Sequence, residues 1–461
     1  MVAGRTHHPA WDEDLCLSCG ACRRACPAWF HDGMRVEQDS LRAMVARRYA
    51  FPCRDGSLAV PACVATCPLH QDVPGYVAAI SSGDLARARG IILETNPLPG
   101  ALGHVCNRSC MTVCVRTCLD EAVDIRGLKH VPFEDDKAWT GPYPGRRGDE
   151  QVAVVGSGPA GLAAASALAR AGVRVVVLER DAEPGGMLRH AIPSFDLPGQ
   201  VLDADIGRLL EGGVRLETGV TVDFPRELDA LMESGVRAVV LATGAGRGML
   251  SPCVGEAGLE GVTDVVSFMR SARAGGLEAA GGPVFVEGEG APAIAAARTA
   301  ARLGDSPVHL VVSRPRAFLA VAPATLESAE ADGVIVLDRR AVTGVLGNET
   351  LEAVKLSACG AARAGGGRIV PGPLQDGEAR EASLLVCARR REPELHGILD
   401  VAGTASTAVG TLAARTDSLA VGPAGLFAAG DLVTAPRNVV EAVASGLRAA
   451  RSVLEYLEET A

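Results

Sequence analysis

The stretch VAVVGSGPAGLAAASALARAGVRVVVLER, residues 152–180, constrains the fold more than any other part of the chain. A β-branched run at 151–155 enters a glycine turn, an alanine-rich run follows, and a second β-branched run at 173–179 closes the unit. That order predicts strand, turn, helix and parallel strand, the βαβ unit of a dinucleotide-binding fold. Gly156, Gly158 and Gly161 hold the glycine positions of G-x-G-x-x-G. The first lets the turn close, the second lets a pyrophosphate reach the backbone, and the third lets helix and strand pack closely. Pro159 and Ala160 open the helix, whose free N–H groups and positive dipole end favour phosphate. Glu179 ends the second strand, ahead of Arg180, where it can accept from an adenosine ribose hydroxyl. A glycine turn alone is a weak signal, but strand, helix and acid together make it a strong one.

Three further segments favour FAD. EPGGML places Gly185, Gly186 and Met187 just after the acidic strand end. VVLATGA ends an apolar strand in Thr243 and Gly244, and GLFAAGD ends another in Gly430 and Asp431. An aspartate there can accept from a ribityl hydroxyl. The run NVVEAVASGLRAARSVLEYL, with Val439 in its first turn, reads as a helix pointing its N-terminus at the isoalloxazine. That end favours the negative charge of reduced flavin. From residue 151 onward β-branched runs alternate with alanine-rich runs, the pattern of an α/β fold with a parallel sheet. A second nucleotide turn, VFVEGEGAPAIAAARTAARLG, carries Gly288, Gly290 and Ala293 as G-x-G-x-x-A.

The N-terminal part predicts different chemistry. Cys16, Cys19, Cys22 and Cys26, followed by Pro27, form C-x2-C-x2-C-x3-C-P. This is the bacterial ferredoxin run, in which three thiolates hold one [4Fe-4S] cluster and the fourth usually serves another. Eleven of the 14 cysteines precede residue 119: those four with Cys53, Cys63, Cys67, Cys106, Cys110, Cys114 and Cys118. A disulfide framework suits a short secreted domain, and the start MVAGRTHHPAWDED has no apolar signal region. Zinc sites usually arrive as separated C-x2-C pairs, so the pattern favours iron. Three clusters take roughly twelve ligands at four each, and eleven early cysteines are present. Two clusters are covered, and a third needs one more ligand, from His104, His130 or a partner. Cys253, Cys359 and Cys387 read as buried small hydrophobes.

Composition excludes several functions. The net charge of −10 and the 3% of aromatic residues argue against nucleic-acid binding. The longest apolar stretch is interrupted by Arg170 and Arg174 and by turn-spaced glycines, so it reads as buried structure and not as membrane insertion. No H-E-x-x-H and no Ser-His-Asp set is evident. A cytoplasmic setting is expected.

The motifs CVATCPLHQDVPGYV, NPLPGALGHVC, VDIRGLK, VVGSGPAGLAAA, GGMLRHAIPSFDLP, LATGA and FAAGD together resemble the small (beta) subunit of glutamate synthase and its relatives, including the N-terminal half of dihydropyrimidine dehydrogenase. The resemblance runs from about Pro61 to the end. It implies an α/β flavoprotein with two Rossmann-like dinucleotide-binding domains, FAD on the first and NAD(P)H on the second. A helical iron–sulfur domain and a small ferredoxin-like segment precede them, and electrons pass to a partner subunit or domain. The implied division is a ferredoxin-type segment 1–50, a helical [4Fe-4S] domain 51–146, an FAD domain from 147–250 and 396–461, and an NAD(P)-binding-like domain 251–395.

Some positions depart from that family. Glu289 stands where relatives have glycine, with Glu287 nearby, and a carboxylate among phosphates repels them by on the order of 1–4 kcal/mol. Arg314 fits the first of two arginines that relatives use for a 2′-phosphate, but Pro315 replaces the second, and Arg390 stands in place of a glycine turn near the nicotinamide. Lys129 stands where some relatives have a Gln or Glu ligand, and an ammonium cannot ligate iron. Cys118 is an extra thiol that could replace it. Two readings remain open. One is an NAD(P)H-dependent flavin–iron–sulfur subunit feeding an electron-accepting partner. The other is a relay, independent of pyridine nucleotide, between ferredoxin-like or other redox partners. A thioredoxin-reductase type C-x2-C is absent after residue 150, so thiol exchange is not the output.

Overall fold

The computed structural model describes residues 51–460 apart from 53–57, 60, 119, 134–149, 255–257, 320, 364–368 and 374–376. Cys16, Cys19, Cys22, Cys26 and Cys53 lie outside the described residues, as do the side chain of Cys118 and most of the stretch between the iron–sulfur and flavin halves.

Residues 51–133 begin with a short antiparallel pair, β1 (Phe51–Pro52) and β2 (Leu58–Ala59), followed by small helices. These are α1 (Ala62–Thr66), α2 (Val73–Ser81), α3 (Leu85–Thr95), α4 (Pro99–Val105), α5 (Ser109–Thr112) and α6 (Ile125–Leu128). Aspartates start three of them: Asp72, Asp84 and Asp124 each accept a backbone N–H three residues on, at 3.0 Å. Tyr76, Ile92 and Ala88 are fully buried in the small core between α2 and α3.

The first dinucleotide fold comprises β3 (Gln151–Val155), α7 (Pro159–Arg170), β4 (Arg174–Glu179), α8 (Met187–His190), α9 (Gly199–Glu211), β5 (Arg215–Thr218), α10 (Arg226–Glu233) and β6 (Val236–Leu241). β7 (Arg247–Met249) then leads out of it. The second fold runs through β8 (Val262–Asp264), α11 (Val265–Arg273), β9 (Val284–Glu287), α12 (Ala291–Leu303), β10 (Val308–Val311), α13 (Pro323–Ala331) and β11 (Ile335–Leu337). An antiparallel excursion follows, β12 (Arg340–Gly347), β13 (Leu351–Arg363), β14 (Ile369–Pro373) and β15 (Glu378–Glu381), before β16 (Leu384–Cys387) returns to the sheet. β17 (Arg390–Glu392) leads back, and β18 (Leu426–Ala428), α14 (Asp431–Thr434) and α15 (Val439–Glu459) complete the first fold.

Two parallel five-stranded sheets result, ordered β18-β6-β3-β4-β5 and β11-β10-β9-β16-β8. The two crossings between them, β7 and β17, pair as an antiparallel ribbon. Strands β3 and β6 are buried along nearly their whole length, as a sheet covered on both faces requires. α7 and α15 pack across small residues. A Cβ on Gly446 would lie 2.0 Å from the Ala160 carbonyl oxygen, so only glycine allows this approach. Among the described residues no helix is long and apolar enough to cross a membrane. Cys387 is buried in the second fold, whereas Cys253 and Cys359 are only half-buried, so the expectation of three core thiols holds fully for one.

Candidate functional site: a dinucleotide cavity beside a thiol pocket

β3 delivers the chain to Gly156, whose φ of +103° and close approach to the Ala242 carbonyl (2.6 Å from a built Cβ) admit only glycine. At Gly158 a Cβ would meet nothing within 4 Å. The space above it is the cradle that a pyrophosphate needs, at the start of α7 with Pro159 in its first turn. At Gly161 the added Cβ would fall 1.9 Å from the Gly156 carbonyl oxygen, so turn and helix are in contact there.

These residues open on a cavity of about 990 Å³, at the upper end of ligand-site sizes. Gly156, Gly158, Pro159, Ala160, Glu179, Arg180, Gly186, Met187, Thr243, Gly244, Gly430, Asp431 and Val439 all line it. Gly161 does not, and lies beneath the turn. Glu179 is buried, and both its oxygens already accept: Oε2 from Ser157 N at 2.8 Å and from the Ser157 hydroxyl, Oε1 from Asp181 N at 2.9 Å. Ser157 Oγ accepts in turn from Gly185 N at 3.0 Å. Ser157 thus ties the glycine turn, the acid and the second glycine pair together, a role that its variable position in the motif conceals. Arg180 reaches Glu394 at 2.7 Å. Burial pushes the Asp431 carboxyl upward against the opposing pull of Arg391, 3.6 Å away. The cradle, the acid and the apolar walls fit FAD.

The second turn is arranged otherwise. Gly288, Gly290 and Arg314 do not line the cavity, although Ala291, Pro292 and Arg298 from the start and outer face of α12 do. Both carboxylates of this turn have partners. Glu287 is buried, accepting from the Ser251 hydroxyl and from Arg389 at 3.1 Å. Desolvation pushes its carboxyl upward. Glu289 is paired with Arg314 at 3.1 Å. Arg390 is an exposed residue of β17 paired with Glu392 at 2.9 Å, while its neighbour Arg391 lines the cavity.

The opposite wall comes from the N-terminal helices: His104, Val105, Cys106, Asn107, Arg108 and Arg126 line it. Behind it lies a small pocket lined by Cys67, Cys106, Cys110, Tyr76, Gln71 and Lys129, among others. Cys63 and Cys114 stand near this group. Burial first, then the neighbouring Cys110 and Cys114, push the Cys63 thiol up to about 12. Burial pushes Cys110 to about 11, with Lys129 pulling the other way. Among the described residues no three of His, Cys, Asp or Glu are placed to share one metal ion. A [4Fe-4S] cluster, however, distributes four thiolates over separate irons, and the chemistry of this donor set, three thiols lining the pocket with Cys63 and Cys114 nearby, fits it. His104 and His130 meet edge to face at 4.4 Å, and His104 Nδ1 lies 3.0 Å from the Gly100 carbonyl oxygen, so both rings have structural partners.

The N-terminal helices are fixed to the flavin half by Asp205 on α9, a fully buried carboxylate. It accepts from Gly100 N at 3.1 Å and Ala101 N at 2.7 Å, the free donors opening α4, and pairs with Arg208. The two dinucleotide folds are clasped by Arg298, which reaches Asp196 at 2.9 Å and Asp332 at 2.7 Å and stacks over Phe195. Sequence spacing alone reveals neither contact.

The pyridine nucleotide-disulphide oxidoreductase profile matches residues 150–446. The profile for dihydropyrimidine dehydrogenase domain II with its 4Fe-4S cluster matches 35–139, and a 4Fe-4S binding domain matches 9–28. The beta subunit of NADP(+)-dependent formate dehydrogenase of Moorella thermoacetica is 32% identical over 86% of this chain, which spans 60% of that relative. The homologue in Salmonella typhi of PreT, an NAD-dependent dihydropyrimidine dehydrogenase subunit, is 30% identical over 86% of this chain and 91% of its own length. In fold the chain is similar to Mycobacterium tuberculosis FprA in complex with NADPH, with TM-score 0.58 and 16% identity over 68% of this chain and 86% of that one. Profile and near-full-length relative agree with the cavity and the thiol pocket, and the chain belongs to the pyridine nucleotide-disulphide oxidoreductases, as an FAD- and NAD(P)-type oxidoreductase carrying 4Fe-4S domains ahead of its flavin half.

Proposed function

We propose that the chain is an electron-transferring subunit that takes reducing equivalents from a pyridine nucleotide and hands them singly to a partner protein. One observation carries the reading: Cys106 lines both the dinucleotide cavity and the thiol pocket. Bound FAD and [4Fe-4S] clusters supply the two-electron to one-electron conversion. The chain's residues bind and orient. Gly156, Gly158, Pro159, Ala160 and Gly161 form the pyrophosphate cradle, with Glu179 and Arg180 toward the adenosine end. Gly186, Met187, Thr243, Gly244, Gly430, Asp431 and Val439 surround the rest. Cys63, Cys67, Cys106, Cys110 and Cys114, together with Cys118 and the early run Cys16, Cys19, Cys22, Cys26 and Cys53, supply the thiolates of the clusters, four to each. The division at 50, 146, 250 and 395 belongs to the same reading. The relatives' names, a formate dehydrogenase beta subunit and a dihydropyrimidine dehydrogenase subunit, support a partner chain that carries the final chemistry.

The test is an anaerobic titration with NADH, following flavin absorbance, then cluster reduction by electron paramagnetic resonance. Flavin bleaching with subsequent cluster reduction is expected. Cys106→Ser should leave bleaching intact and cut reduction of a one-electron acceptor by about tenfold or more. A second reading is favoured by the absence of Gly288, Gly290 and Arg314 from the cavity lining: a relay in which pyridine nucleotide is inert. Bleaching by a reduced ferredoxin, with none by NADH or NADPH, would establish that reading and reject the first.

A further inference from the structure

The second dinucleotide turn holds an anion of its own. β10 runs parallel to β9 with Val311 opposite Glu287, and continues into Ser313 and Arg314. In a dinucleotide fold the end of this second strand faces the adenosine ribose and decides between a 2′-hydroxyl and a 2′-phosphate. Here it offers two backbone N–H groups, a hydroxyl and a guanidinium, a donor set suited to phosphate. All of them are directed at Glu289. Oε1 accepts from Ser313 N at 3.0 Å, from Arg314 N at 3.2 Å and from the Ser313 hydroxyl, and Oε2 lies 3.1 Å from Arg314 Nε. The next cation, Arg316, is engaged by Glu330 at 2.6 and 2.5 Å. The Glu289 side chain stays 28% exposed, so this carboxylate fills a subsite open to solvent and is not part of the core.

We propose that Glu289 is a built-in anion in the adenosine 2′-phosphate subsite, so that the second fold rejects NADPH and admits NADH. The proposal rests on the reading that this fold takes a pyridine nucleotide. NADH brings a neutral 2′-hydroxyl, which can donate to the carboxylate where it stands. NADPH brings a phosphate to a place already negative, and must displace Glu289 or bind without Arg314. The Ser-Arg strand end would by itself favour NADPH, and Glu289 reverses that preference.

The test uses the full chain, purified anaerobically with its flavin, and isothermal titration of two probes, ADP-ribose and 2′-phospho-ADP-ribose. The wild type should favour ADP-ribose. Glu289→Ala should tighten 2′-phospho-ADP-ribose by about tenfold or more, the equivalent of 1.4 kcal/mol, and leave ADP-ribose nearly unchanged. Glu289→Gln, which keeps the hydrogen bonds from Ser313, should shift the ratio in the same direction by less. The double variant Glu289→Ala with Arg314→Ala should lose the gain. Preference of the wild type for the phosphorylated probe, or no gain in either single variant, would overturn the proposal. Neither probe carries a nicotinamide, so failure of NADH to bleach the flavin would sink the reading of a subunit fed by pyridine nucleotide and leave this result standing.

Discussion

At the scale of single residues, two positions carry sharp consequences. Gly158 has empty space where a side chain would begin, so Gly158→Glu places bulk and negative charge in the pyrophosphate path. The variant should fold yet purify without yellow colour, and full flavin occupancy by absorbance would reject the assignment. Lys129 is only 4% exposed and shares its pocket with Cys67, Cys106 and Cys110. A buried cation beside a cluster of thiolates stabilises the extra electron of the reduced state. Lys129→Met should therefore lower the midpoint potential by about 60 mV or more, 59 mV being tenfold for one electron. Redox titration monitored by electron paramagnetic resonance reads this directly, and an unchanged potential in a fully loaded variant would remove Lys129 from any electrostatic role. The sequence shows that Lys129 cannot ligate. Its burial among the thiols depends on how the helices pack.

At the scale of elements, α4 is the joint between the two kinds of chemistry. It begins on Asp205 of α9 and ends at Cys106. Asp205→Ala removes a cap and leaves Arg208 without its carboxylate, costing about 3 kcal/mol or more. The holoprotein should melt earlier and lose iron, because the displaced helix carries a ligand at its far end. Unchanged melting and iron content would refute the coupling. The strands, turns and helices on either side were legible, since Gly156, Gly158 and Gly161 encode their geometry locally. Asp205 was not: the backbone donors it accepts from belong to residues a hundred positions earlier, and no local periodicity marks such a contact. The same holds for Glu289. Its presence in the glycine turn was visible, but its direction toward Ser313 and Arg314 followed only from the packing of β10 beside β9.

At the scale of the whole molecule, the prediction is stoichiometric. Anaerobically purified chain should hold one FAD and iron for at least two cubanes, roughly eight atoms, and less than about six would contradict the cysteine reading. Architecture at this scale was legible because two glycine turns, each within a βαβ pattern, announce two parallel sheets. The clasp of Arg298 on Asp196 and Phe195 was hidden, since each partner is an ordinary surface residue in sequence. The sheet order has a bearing on how the chain is made. β6 lies between β3 and β18, and the entire second fold is translated between β6 and β18. On the ribosome, then, β6 waits as a raw sheet edge while its neighbour is synthesised. At roughly 5–20 residues per second the wait lasts on the order of ten seconds or longer. Throughout it the nascent chain offers unpaired strand hydrogen bonds to any passing edge, and the flavin cavity still lacks α15. Flavin loading is therefore expected only once α15, which lines the cavity through Val439 and Ala442, has been made, after every strand of the second fold.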